Sequence, residues 1–318
     1  MGAEPERSAE RNTVMTINGQ RWDLEYGAQR ASVVQRGGAL QTYTVDGIDI
    51  VDGFADDELP PAFNGAVLAP WPNRIRDGRW TWNGQQYQLP VTEPSTGAAL
   101  HGLVSDVLWQ ADSVGTDAVT LSVPIAPSAG YPFELRVTVT WSLSADGLRC
   151  QLGALNTGLE SAPFGVATHP FFRLPGARVD DLDLTLPAGQ WLETDSNLLP
   201  VALRPTGNSE LDFTEPRPLG GLRLDTAFTA VMPDFHVISS AVLTCRGSAV
   251  TIWAEPDFTW WQIYTSDYFE PDSERLRRGL AVEAMTCGPD AFNSGADLIV
   301  LEPGVPWSAG WGVRAQLG

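Results

Sequence analysis

Phe133-Glu134-Leu135-Arg136-Val137-Thr138-Val139-Thr140-Trp141 decides the fold, because every odd-numbered residue in it is apolar and every even-numbered one is polar. Strict alternation puts one set of side chains on each side of an extended chain, the pattern of a half-buried strand. Past Ala145-Asp146-Gly147, a hairpin-type turn, the pattern resumes with Leu148, Cys150 and Leu152. A second hairpin is written in Trp80-Thr81-Trp82-Asn83-Gly84-Gln85-Gln86-Tyr87, whose Asn-Gly tip tolerates positive φ. Val237 to Leu243 and Val250 to Trp253 flank Arg246-Gly247, and Trp260 to Tyr264 adds an aromatic strand. The 31 glycines and 24 prolines interrupt the chain too often for long amphipathic helices. With no βαβ rhythm, the expected class is all-β, a large antiparallel β-sandwich.

No Gly/Ser-rich or Pro-rich linker, low-complexity run or internal repeat divides the 318 residues. One domain over residues 13–318 is expected, since all-β architectures can run long as one unit. Residues 1–12 are polar and lack an apolar h-region, and so read as a disordered leader rather than a signal peptide. No segment approaches the roughly eighteen apolar residues of a membrane span. The three cysteines, Cys150, Cys245 and Cys287, form neither a metal pattern nor an even disulfide set, and read as free buried thiols of a cytoplasmic protein.

With 39 acidic against 20 basic residues the net charge is -19, which argues against nucleic-acid and anionic-membrane partners and favours a neutral small ligand. There is no His-x-His, HExxH or cysteine cluster to hold a metal, and no GxGxxG or P-loop to seat a nucleotide, so no cofactor is expected. The G-x-S-x-G elbow of many hydrolases is also missing.

Among the three histidines, His101 lies in Leu100-His101-Gly102 and His169 in Thr168-His169-Pro170-Phe171-Phe172. Gly102 would permit close approach of a ligand, and Pro170 biases His169 toward extended backbone. His236 reads as a bystander at a strand mouth. Glu283 sits among Ala281, Val282, Ala284 and Met285, where a carboxylate is costly to bury unless paired or used. A histidine and a glutamate from distant segments suffice to take a proton from one oxygen and give it to another. Arg74, after Pro70-Trp71-Pro72-Asn73, offers a donor fork suited to hydroxyls or to a structural ion pair. Trp71 is read as core before sugar platform, Asp225 as either a strand-end cap or a ligand contact, Gln262 as a buried amide needing partners, and Glu302 as a turn acid.

Taken in order, these segments resemble the aldose 1-epimerase (galactose mutarotase) family. The carrying residues are Asn73-Arg74-Ile75, Gly84, Leu100-His101-Gly102, Thr168 to Phe172 and Leu224-Asp225. They continue with Gln262-Ile263-Tyr264-Thr265, Glu283-Ala284-Met285-Thr286, Ala291-Phe292-Asn293 and Leu301-Glu302-Pro303-Gly304. The resemblance implies a galactose mutarotase-like supersandwich and cofactor-free interconversion of the anomers of free aldoses, such as glucose or galactose. It makes Glu283 the general base and His169 the general acid, with Arg74, His101, Asp225 and Gln262 holding sugar hydroxyls and Asn73 beside them. Asp225 is a candidate for favouring imidazolium at His169. Pro170-Phe171 and Ala284 depart from common family residues without changing a functional group. Other readings are a non-catalytic carbohydrate-binding protein, or a glycosidase or lyase on a related sandwich. A hexose-phosphate mutarotase is disfavoured by the acidic chain and its single motif arginine. A monomer or homodimer is expected.

Overall fold

A computed structural model describes residues 13–318; the leader expected over residues 1–12 lies outside them. The architecture is all-β, and every strand pair within its sheets is antiparallel. The opening stretch becomes the strand Leu135–Ser144, paired to Gly147–Asn156 in the register Ser144↔Gly147. The alternation places Leu135, Val137, Val139, Trp141 and Leu143 in the core. This hairpin joins a nine-stranded sheet whose central strand is the C-terminal one, Pro306–Gln316.

An eight-stranded sheet faces it. Their contact is made by aromatic pairs, Phe172 with Trp311 at 6.4 Å and Phe213 with Phe228 at 6.0 Å between ring centroids. Offset and edge-on ring packing of this kind fills the space between sheets with large apolar groups. A five-stranded sheet begins the described chain, and its Trp22, Leu24, Val33 and Tyr43 join the same core cluster.

The turns follow their sequence signals. Asn83-Gly84 and Arg246-Gly247 each carry two successive positive φ values, 48° and 80°, then 50° and 87°, as two-residue hairpins with right-handed strand twist require. The strand expected from Val237 instead starts at Ser239, because Val237 lies in a turn with φ of 64°. Among the described residues the one α-helix is the single turn Ala291–Ser294, and no helix is long and apolar enough to cross a membrane. All three cysteines are free; Cys150 and Cys287 are buried, whereas Cys245 is half-buried.

Candidate active site

The site grows from one face of the eight-stranded sheet. Its strands Asp225–Val231, Trp260–Tyr264 and Leu280–Met285 lie side by side, with Ala227 opposite Gln262 and Gln262 opposite Glu283. Successive side chains of a strand point to opposite faces. Phe228, Trp261, Ile263, Val282 and Ala284 therefore enter the main core. Asp225, Gln262, Tyr264 and Glu283 line a cavity on the other face, where Ala227, Trp260, Met285 and Leu68 form a separate small apolar cluster. An apolar setting around Glu283 was visible in the sequence; period two explains how its neighbours can be core while it is not.

His169 reaches the same place through register. Ala167 pairs with Met285 and Phe171 with Ala281, so position 169 stands across from position 283. Proline has no N–H for a sheet ladder, and His169-Pro170 is where the pairing is interrupted. His169 Nε2 comes to 3.3 Å from Glu283 Oε1. Both groups are nearly sealed from solvent, at 6% and 2% exposure.

Arg74, Asn73 and His101 come from a third direction. Arg74–Arg76 pairs with Ala98–Leu100, Arg74 opposite Leu100. Just beyond, the two chains lock together: His101 N–H donates to the Asn73 carbonyl at 2.9 Å, and Asn73 N–H donates to His101 Nδ1 at 3.2 Å. Nδ1 is thereby the acceptor, which leaves Nε2 as the protonated nitrogen of a neutral His101. Asn73 Oδ1 accepts from Arg74 N–H at 2.9 Å. Asn73, φ 56°, and His101, φ 58°, both occupy the left-handed region, tolerated best by asparagine and histidine among residues with a Cβ. Gly102 packs against the chain itself: a Cβ there would stand 2.1 Å from the Ala69 carbonyl oxygen.

Charge in the site is tightly arranged. Arg74 donates through Nε and Nη2 to Glu93 at 2.6 and 2.9 Å, and its Nη1 lies 3.7 Å from Asp225 Oδ2. Gln262 Nε2 donates to Asp225 Oδ1. Burial drives the Glu283 carboxyl well above the usual range, and the nearby Asp225 charge adds to this while Arg74 opposes it. Burial, helped by Arg74, holds His169 down at about 4. His101 is likewise held well below the ordinary imidazole range by burial, His169 and Arg74. The influence of Asp225 thus falls on Glu283 rather than favouring imidazolium at His169. The proton shared by the pair therefore belongs on Glu283, the neutral–neutral form that a low-dielectric pocket prefers.

All seven sequence-identified residues, Asn73, Arg74, His101, His169, Asp225, Gln262 and Glu283, line one cavity of about 790 Å³. His236 is exposed in a turn, Trp71 is core, with its indole N–H donating to the Ala99 carbonyl, and Glu302 is an exposed turn acid that accepts from Ser161. Glu93 was missed. In Val91-Thr92-Glu93-Pro94-Ser95-Thr96-Gly97 it looks like an ordinary turn acid. Phe63 was also missed; its ring packs edge-on to His101 at 4.7 Å. Among the described residues no group of three His, Cys, Asp or Glu side chains is disposed to hold a metal ion.

The sandwich thus gathers the buried His169–Glu283 pair, Arg74, Asp225 and Gln262 around one cavity. The chain belongs to the aldose 1-epimerase family, an isomerase family whose description matches residues 20–313. It is 36% identical over 295 residues to the uncharacterized protein YihR of Escherichia coli K12, covering 92% of each chain. Galactose mutarotase of Mus musculus is 32% identical over 184 residues, a match spanning 54% of this chain and 52% of the mouse enzyme. The crystal structure of galactose 1-epimerase from Lactobacillus acidophilus NCFM has the same fold. Its TM-score is 0.80 at 18% identity, covering 99% of this chain and 98% of that one.

Proposed function

We propose that this chain interconverts the α- and β-anomers of free aldohexoses, with Glu283 as general base and His169 as general acid. The observation that carries the reading is the pair itself, 3.3 Å apart on the wall of a polar cavity. In a pyranose the C1 hydroxyl and the ring oxygen are bonded to the same carbon, so two adjacent groups can serve both. Glu283 takes the C1 hydroxyl proton while His169 protonates the ring oxygen; the C1–ring oxygen bond breaks and C1 becomes a carbonyl. Rotation about C1–C2 exposes the other face, and reclosure reverses both transfers.

The remaining groups support this use. Glu283 Oε2 and Gln262 Oε1 are buried without a hydrogen-bond partner among the described residues, and buried polar atoms normally have one. Sugar hydroxyls would supply it. Hydroxyls donating to Glu283 also favour its ionised form, which moves the shared proton to His169 as the substrate binds. His101 Nε2, Arg74 Nη1, Asp225 and Gln262 hold ring hydroxyls, while Asn73 braces Arg74 and His101. Residues 13–318 act as one unit in this reading, and the three free thiols support a reducing compartment such as the cytoplasm.

The test is polarimetry or NMR exchange of freshly dissolved α-D-glucose and α-D-galactose with and without protein. Relaxation faster than the spontaneous rate is expected. Binding without acceleration would favour a carbohydrate-binding protein instead, and cleavage of a glycoside would favour a glycosidase.

A further inference from the structure

Arg74 is the one guanidinium on the cavity wall among the described residues, and no lysine joins it. Its most useful edge is already taken. Glu93 accepts from both Nε and Nη2, the side-by-side geometry with which arginine otherwise grips a phosphate or carboxylate of a ligand.

Glu93 is itself held from several sides. Thr96 Oγ1 donates to its Oε2. The backbone N–H groups of Thr96 and Gly97 donate to its carbonyl at 3.2 and 3.0 Å, and the Thr92 and Glu93 N–H groups donate to the Ala98 carbonyl, both at 3.0 Å. Leu100 N–H donates to Thr92 Oγ1 at 2.8 Å. The turn thus aims a carboxylate at Arg74 with its geometry fixed at both ends. On the far side, Asp225 stands 3.7 Å from Nη1. Asp106, another acid on the cavity wall, is paired outward to Arg36 at 2.9 Å.

We propose that Glu93 is a positioning and specificity-determining residue. By occupying the Nε–Nη2 edge of Arg74 it leaves Nη1 for a neutral hydroxyl and closes the site to aldoses carrying a phosphate or carboxylate. This rests on the mutarotase reading for the identity of the ligand, but it concerns charge selection at binding. An anionic substituent entering the cavity meets Glu93 and Asp225 with a single guanidinium between them. Like charges at such range repel strongly where water is excluded. A bare Arg74 fork would instead be a ready anion seat.

The experiment compares binding of glucose, glucose 6-phosphate and glucuronate by calorimetry, with anomer exchange measured alongside. The wild-type protein should bind glucose at least tenfold more tightly than either anion. Glu93→Gln, which keeps shape and one acceptor but loses the charge, should cut that preference about tenfold for at least one anion, equivalent to about 1.4 kcal/mol. Glu93→Ala should move the preference the same way, and Glu93→Asp, which keeps the charge, should restore it. Thr96→Val loosens the carboxylate without changing charge, so it should weaken all three sugars alike and leave the ratio in place. A merely structural role would lower every affinity together. An unchanged ratio in both folded charge-removing variants overturns the proposal. So does a wild-type protein that binds the anions as well as glucose, or binds neither class. Binding selectivity without any anomer exchange would overturn the mutarotase reading while leaving the role of Glu93 standing.

Discussion

Glu283→Gln separates the chemistry from the binding. The side chain is 2% exposed and centred on its strand, and the amide has nearly the volume of the carboxyl, so the sheet has no reason to rearrange. Its side-chain N–H can donate to His169 Nε2 across the 3.3 Å gap in place of the carboxyl proton, but the amide cannot take a proton from a C1 hydroxyl. Loss of a positioned base costs about 10²–10⁴ in rate, roughly 3–5 kcal/mol of transition-state stabilisation. Stability should move the opposite way. The folded pKa of Glu283 is raised well above its unfolded value, so the group's contribution to stability is full below about pH 4.3. It is lost as the pH rises toward the folded pKa. The amide has no such term. The advantage of Glu283→Gln in melting temperature should therefore be smallest in acid and grow toward pH 8. NMR exchange at anomeric equilibrium gives the rate, calorimetry the affinity, and thermal melts at several pH values the stability. Near-native turnover by Glu283→Gln would refute the assigned base. A variant that melts below wild type at pH 8 would refute the argument that burial strains this carboxylate.

His169→Asn should lose a similar factor of about 10²–10⁴, and the double variant with Glu283→Gln should be little worse than either, because acid and base act as a unit; additive losses would show independent roles. The rate should follow a bell in pH, since the active pair holds one proton wherever that proton resides. The acid limb should fall near pH 4, where His169 takes a second proton for the pair. The alkaline limb comes where the raised Glu283 gives up the first; a rate still rising above about pH 9 would contradict this. His101→Gln should weaken sugar binding and flatten the acid loss of stability. A histidine held neutral by folding lets the unfolded chain bind the extra proton, so stability falls as pH drops below about 6.5. His236→Ala, exposed in its turn, should change neither, and equal losses from both substitutions in folded proteins would undo the assignment.

What the chain order alone determined is local. Alternation from Phe133 to Trp141 set the strand and its buried face, Asn83-Gly84 and Arg246-Gly247 set their hairpins, and a lone carboxylate amid Ala281 to Met285 marked Glu283 as a candidate. Each of these depends on neighbours within a few residues, where backbone geometry is nearly fixed. Glu93 has no such signature: its partner lies nineteen positions away in the chain and meets it only because Ala98–Leu100 pairs with Arg74–Arg76. Gly102 is required by the Ala69 backbone, which the sequence does not place beside it. The protonation of the pair is the furthest from view. Reference values put the charge on both members, whereas burial and the placement of Asp225 move the proton to Glu283. Charges interact through space and through whatever dielectric surrounds them, and both are decided only when distant strands have packed.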